Sequence, residues 1–367
     1  MIPPVNVHFV EPGGQGGVFQ HTAEVARLVV KDGGHAVIHT ATDCESLDYG
    51  DISVCRCMGW FRGVRPRALR NGLIVSGYLF RTLPHLTMAT RGHIVHLQGL
   101  FKSPLYAMTL WLLKWRAARM VFSPHNTFSR SGRRWEVRIL RWSMRRADVA
   151  VCYSAFDAAQ VKHWGVSAVV CPLAQWTPRV TAEEVAVWRT RLSPGVDSAG
   201  VDSAGAHSAI VLMPGQVRVD KGVDQMILAA PLLDVPVTLA VIGEDKGDLS
   251  RCRKLAEQNG IDVVWLNRYL TVRELAGAIA AADVVVLPYS QASQSGVAAL
   301  SNALGTPTVA YPVGGLPELA TVTAARSDPP ALAEAVVLVL STENCAIREP
   351  PSDIGPFAQV YGSRSGG

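Results

Sequence analysis

Two cations lie three residues apart in the stretch PGQVRVDKGV: Arg218 and Lys221, framed by Gly215 and Gly222. An apolar run ends at Gly215, and a helical pattern follows. Cations placed where a strand gives way to a helix suit a diphosphate. A guanidinium binds phosphate oxygens in pairs, and an ammonium adds a point charge. Solvated loop charges are the ordinary alternative, and the glycine frame favours the phosphate. A second stretch fits the same ligand. SQASQSGVAALSNALGTPTVAYPVGGLPEL, residues 290–319, carries no charge before Glu318. Its QSGVAAL opens a helix, so Ser295, Gly296 and Val297 offer amide N–H groups at the positive end of a helix dipole. A segment without carboxylates suits an anion held by backbone.

Further candidates lie in the first half. His125, in FSPHN, closes an apolar run. An imidazole at a strand end can hydrogen-bond a sugar hydroxyl or assist proton movement, although lone histidines are usually structural. His96, in IVHLQGL, is a similar but weaker case. In EPGGQGG, Gly13, Gly14, Gly16 and Gly17 let backbone approach a ligand and lead into a helix whose first amides face an anion. The spacing is not the dinucleotide GxGxxG, and a tight strand-to-helix turn is the plain alternative. The seven cysteines include no CxxC pair. Cys55 and Cys57 read as alternate positions of a strand, and neither a disulfide framework nor a zinc knuckle is expected. With no DxD motif and no His/Cys ligand cluster in the pattern, no metal is expected.

The elements that must position these residues alternate. VNVHFVEP, HAVIHTA, HIVHLQG, RMVFSPHN and ADVAVCYS read as strands separated by helical stretches. The pattern pauses near CPLAQWTPRV and the tandem GVDSAG of residues 195–205, which is too small and polar to build a core. It then restarts with SAIVLMPG, VTLAVIGE, DVVWLN, DVVVLPY and PTVAYP. Strands joined by helices of this length give parallel sheets. The expectation is two Rossmann-like α/β domains facing across a cleft. Their boundaries are 1–172, a linker at 173–207, 208–350, and a tail at 351–367 that returns to the first domain. Ligands of such sheets sit at the carboxyl ends of the strands.

Charge divides the chain. Residues 1–180 hold 22 Lys+Arg against 10 Asp+Glu, and the remainder 13 against 20. From Arg56 to Arg146 there are 18 basic residues and a single acid, Glu136. Such a field attracts an anionic substrate, a membrane surface or nucleic acid. Basic-aromatic interleaving of a nucleic-acid module is absent, so nucleic acid is not expected. No signal peptide and no spanning helix is read from the pattern, and the reduced cysteines fit a cytoplasmic protein.

Taken together, these motifs resemble the retaining GT-B glycosyltransferases of family 4. GGQGGVFQH is similar to the family's N-terminal Gly-rich loop, FSPHN to its strand-end histidine, and PGQVRVDKGVDQMI to its phosphate-binding strand-to-helix turn. ADVVVLPYSQASQSGVAALSNALGTPTVAYPVGGLPE resembles its SQSGV-type subgroup most specifically. Two departures stand out. The family's paired glutamates would fall on Ala292 and Leu300, and Gln216 occupies the usual arginine position.

The resemblance implies that the second domain binds a nucleoside diphosphate sugar and the first an acceptor. Arg218 and Lys221 would stabilise the departing diphosphate with Gly215, Ser295, Gly296 and Val297, and His125 would orient the sugar. Gly13, Gly14, Gly16 and Gly17 would form an acceptor or phosphate loop. Gln294, Asn302 and Glu318 are candidates for nucleotide contacts. The donor is a UDP-sugar or GDP-sugar, and no further cofactor is expected. The acceptor is a sugar, a lipid-linked compound or a small molecule, in bacterial envelope, glycolipid or secondary-metabolite glycosylation. An anionic membrane surface is a further expected partner, with the enzyme peripheral on the inner face of the cell membrane. The alternatives are a non-catalytic or degenerate nucleotide-sugar-binding protein and a pseudo-glycosyltransferase or epimerase on the same fold.

Overall fold

A computed structural model describes residues 5–48, 50–59, 65–99, 104–127, 133–194, 208–342, 345–347, 349, 351 and 353–362. The GVDSAG repeat lies outside the described residues. The chain divides into two units, 1–174 with 351–367, and 175–350.

The first unit runs β1 (Asn6–Val10), α1 (Gly17–Lys31), β2 (His35–Ala41), β3 (Ser53–Met58), α2 (Arg67–Gly77), a π-helical turn and α3 (Leu83–Ala89). It continues through β4 (Ile94–Gln98), α4 (Pro104–Lys114), β5 (Arg119–Ser123), α5 (Arg134–Arg146), β6 (Val149–Cys152), α6 (Ala155–Lys162) and β7 (Ala168–Val170). The strands form one sheet in the order β3-β2-β1-β4-β5-β6-β7, parallel at every pairing. A parallel sheet is covered on both faces. Hence Val7, Phe9, Val95, Leu97, Val121 and Phe122, which lie on both faces, are all buried. Strand order reverses between β1 and β4, the position at which doubly wound sheets bind ligands. The helical stretch 67–89 is not visible in the sequence pattern, because α2 exposes Leu69, Leu73 and Val75 and so marks no buried face.

The second unit begins with α7 (Ala182–Leu192), inside the stretch expected to be a linker. Its Thr181 capping box starts it, and Trp188 and Leu192 are buried in the second unit's core. Gly277 permits the fit, since a Cβ there would lie 2.5 Å from the Trp188 ring. Next come β8 (Ala209–Pro214), α8 (Val223–Ala229), β9 (Val237–Ile242), α9 (Leu249–Gln258), β10 (Val263–Leu266), α10 (Val272–Ala280) and β11 (Val284–Leu287). α11 (Gly296–Leu304), β12 (Thr308–Ala310), β13 (Val322–Thr323) and α12 (Pro329–Ser341) complete it. The sheet order β10-β9-β8-β11-β12-β13 repeats the plan of the first unit, with its reversal between β8 and β11.

The final helix, α13 (Gly355–Tyr361), follows the second unit in sequence but belongs to the first. Phe357, Val360 and Tyr361 are fully buried there. The Tyr361 hydroxyl lies 2.7 Å from His96 Nδ1, and His96 Nε2 lies 2.7 Å from Ser123 Oγ. Arg119 donates to the carbonyls of Gln359 and Gly362. His96 is therefore a structural tie between β4, β5 and α13.

Candidate functional site

In the second unit, the loops after β8 and β11 are fastened to each other at the strand reversal. Gly222 has φ +71°, and a Cβ on it would lie 2.1 Å from the Pro288 carbonyl oxygen. Only glycine permits that approach. Ser290 N donates to Asp220 O at 3.1 Å. Lys221 Nζ sits 3.5 Å from the centroid of the Tyr289 ring, a cation–π contact. Tyr289 is buried, and burial pushes its phenol up to about 12 despite a hydrogen bond with Ser295. The lysine therefore meets a neutral ring. Gly243 closes the floor, because a Cβ there would lie 1.9 Å from Gly215 O.

Arg218 is held by side chains of its own loop. It is half-buried and pairs bidentately with Asp220, Nε to Oδ1 at 2.7 Å and Nη2 to Oδ2 at 2.6 Å. Its Nη1 lies 3.4 Å from Gln216 Oε1. The carboxylate two residues on thus fixes one edge of the guanidinium. Ser295 is the N-cap of α11, and its Oγ accepts from Ala298 N at 3.2 Å. That hydroxyl is committed to the cap, and Gly296 and Val297 form the first turn beyond it. Arg218, Lys221 and the start of α11 are thereby brought together, with Gln294 half-buried just before the cap.

Asn302 is buried two turns further on. Its Nδ2 donates to Leu319 O at 2.9 Å, tying α11 to the turn 316–318 that holds Glu318, while its Oδ1 has no protein partner. Leu300 is a core residue, and Ala292 is buried as well.

In the first unit, the Gly-rich loop is not an open cradle throughout. Gly13 N and Gly14 N donate to the two carboxylate oxygens of buried Glu11, at 2.9 and 2.7 Å. The protein's own carboxylate takes the amides expected to meet a ligand anion. Gly16 and Gly17, at the start of α1, keep open space where a Cβ would stand. Burial raises Glu11 to about 7, against the opposing hydrogen bonds from Gly14, Gly13 and Thr40.

His125 follows β5 with φ +58°, a left-handed conformation that costs a non-glycine residue free energy and is often stored at functional sites. Its Nε2 lies 2.6 Å from Gln98 Oε1, which also accepts from the Tyr153 hydroxyl at 3.2 Å. His21 of α1 packs on both rings, with centroids 5.1 Å from His125 and 4.4 Å from Tyr153. His21 Nδ1 lies 2.6 Å from Ala174 O, while its Nε2 and Gln98 Nε2 are buried without partners. Burial first, then the neighbouring His21 and His96, hold His125 well below the usual histidine range. His125 is thus a neutral imidazole in a polar nest of His21, Gln98 and Tyr153. Sequence patterning isolates only His125, because the other three lie on separate elements.

The expectation of no His/Cys cluster is also corrected. His39, Cys55, Cys57 and His85 bring four ligand atoms within 4.8 Å of one another.

Residues 15–173 match the model of Glycosyltransferase Family 4, and residues 208–342 match that of Glycosyl transferases group 1. Each unit thus matches a glycosyltransferase family model, and the fold is GT-B. A D-inositol 3-phosphate glycosyltransferase of Xylanimonas cellulosilytica is 36% identical over 150 residues, covering 39% of this chain. The match spans about a third, 34%, of that relative's length. Among solved structures, Anabaena HepE in complex with UDP and glucose superposes with TM-score 0.67 at 14% identity, over 92% of this chain and 90% of that one. WaaG, a glycosyltransferase involved in lipopolysaccharide biosynthesis, does so with TM-score 0.61 at 18% identity, over 92% and 90%. Both share the GT-B fold.

Proposed function

We propose that the chain transfers a sugar from a nucleoside diphosphate sugar, a UDP-sugar in the first instance, to an acceptor hydroxyl with retention of anomeric configuration. The observation that carries this reading is the fastening of Arg218 and Lys221 beside the first turn of α11, at the strand reversal of the second unit. Glycosyl transfer builds negative charge on the departing diphosphate. Preorganised cations and amides aimed at that charge lower the barrier. Arg218, Lys221 and the amides of residues 295–297 take this role, and the chemistry then needs no metal. Asp220 positions the guanidinium without supplying charge to the phosphate. The family resemblance gives His125 the task of orienting the sugar, and its neutral, hydrogen-bonded ring fits a contact to a hydroxyl. The HepE complex with UDP and glucose supports the donor class.

The acceptor in this reading is anionic, a phosphorylated or lipid-linked hydroxyl compound of a bacterial envelope pathway. The basic excess of residues 1–180 and the phosphorylated substrate in the relative's name support this. Exposed Phe80, Met88, Trp111 and Trp115 in the same basic region support a peripheral membrane location. The test is calorimetry of the full chain with UDP- and GDP-sugars, then mass spectrometry of products from phosphorylated and lipid-linked acceptors. Release of UDP with a new glycosidic product is expected. Nucleotide binding with neither transfer nor donor hydrolysis would instead establish a binding protein, the reading favoured by Leu300 where the family carries a glutamate.

A further inference from the structure

We propose that the first unit binds one zinc ion through His39, Cys55, Cys57 and His85. The residues come from three elements, β2, β3 and α3. His39 and Cys55 are register partners on neighbouring strands, so they project to one face. The register shifts just beyond, with Thr40 opposite Arg56 and Ala41 opposite Met58, which leaves Cys57 as the extra residue. Alternation does not carry across that irregularity, yet Cys57 Sγ remains in the cluster with Cys55 Sγ. His85 closes over them, its Nε2 3.2 Å from Cys55 Sγ and its ring centroid 5.5 Å from that of His39. All four ligand atoms lie within 4.8 Å of one another.

His39 supplies an independent sign. It is 1% exposed, its Nε2 lies 2.9 Å from His8 Nδ1, and its Nδ1 is buried with no partner. A buried orphaned nitrogen is costly. Coordination at Nδ1 would satisfy it and would place the proton on Nε2, donated to His8. That is the arrangement by which an outer residue fixes the tautomer of a metal-bound imidazole. His8 is itself stacked on His93, with centroids 4.8 Å apart.

Two thiolates and two imidazoles select zinc, with tetrahedral geometry. Bonds of about 2.0–2.3 Å place tetrahedral ligands about 3.3–3.8 Å apart. The present cluster therefore closes around an ion with shifts of about 1 Å. Four protein ligands make a closed, structural site. It would fasten β3, the edge strand of the sheet, to β2 and α3. The sequence conceals it because positions 39, 55, 57 and 85 follow no zinc-motif spacing.

The experiment uses the full chain, reduced and stripped with a chelator, then titrated with zinc chloride and, separately, cobalt chloride. One zinc per chain is expected, with a rise in melting temperature. Cobalt should give thiolate-to-metal charge transfer and intense tetrahedral bands. Among the seven cysteines, only Cys55 and Cys57 should become protected from alkylation on adding zinc. Cys57→Ser should weaken zinc binding at least about 100-fold, and His8→Phe about 10–100-fold, as expected for an outer-shell partner. The proposal is overturned if the reduced wild-type protein binds no stoichiometric zinc. It is equally overturned if Cys55 and Cys57 alkylate alike with and without zinc, or if they are joined as a disulfide in the isolated chain.

Discussion

Lys221 and Arg218 differ in what their removal uncovers. Lys221 rests on the Tyr289 ring, and its loss leaves a neutral aromatic surface. Lys221→Ala should therefore lower kcat/KM at least about 100-fold, near 3 kcal/mol of transition-state stabilisation, with little change in melting temperature. Arg218→Ala leaves half-buried Asp220 without its bidentate partner, so it should also cost about 1 kcal/mol of stability by denaturant titration. Turnover near wild type in either variant would remove the phosphate assignment. His125→Asn keeps a residue that tolerates the left-handed backbone. It should reduce kcat while UDP affinity, read by calorimetry, stays near wild type. Equal loss of both would make His125 a structural residue. Arg218, Lys221 and Ser295 are legible in the sequence because each acts within a few residues of a strand-to-helix turn. The Glu11 carboxylate on the Gly13 and Gly14 amides is not, since EPGG says nothing about which way that side chain folds back.

Among the elements, α13 and α11 offer the clearest measurements. α13 contributes a fully buried aromatic pair, Phe357 and Tyr361, to the first unit. Tyr361→Ala should destabilise by about 3–5 kcal/mol, in the range for large aromatic truncations. Tyr361→Phe removes only the partner of His96 Nδ1 and should cost about 1–3 kcal/mol. Equal denaturation midpoints for wild type and Tyr361→Phe would show that this hydrogen bond contributes nothing. At α11, Ser295→Ala should cost about 1 kcal/mol through its lost cap. The alternation of apolar runs and helical stretches shows most strands in advance, because parallel strands buried on both faces are continuously apolar. α7 is harder to place, for its anchor Trp188 finds its seat only on Gly277 of a helix some ninety residues on.

For the molecule as a whole, acid should be destabilising. His21, lowered to about 4 by burial, and His96 and His125, held well below the usual range, are neutral when folded but protonate near 6.5 when unfolded. Stability is full above pH 6.5 and falls as pH drops toward 4, by up to about 1.4 kcal/mol per pH unit for each such group. Glu11, raised to about 7, works in the opposite sense, its contribution growing as pH falls from 7 toward 4.5. His8 and His39, lowered by burial to about 4 and about 3, act in the same sense as His21, His96 and His125. Five histidines outweigh one carboxyl, so urea midpoints should decline between pH 6.5 and 4.5; a rising midpoint would contradict this balance. The basic first half should also draw the chain to anionic vesicles, more strongly at low salt, since exposed charges are screened within about 8–10 Å near physiological ionic strength. Absence of cosedimentation even at low salt would reject the membrane location. The return of α13 to the first unit carries a consequence for biosynthesis. Strands β1–β7 leave the ribosome long before the helix that covers His96, and every residue of the second unit is made in between. The half that is synthesised first is thus the last that can be completed, and until Tyr361 emerges it must wait with an apolar seat unfilled. Nascent chains arrested between residues 175 and 350 should therefore be more open to protease in the first unit than chains released past residue 362.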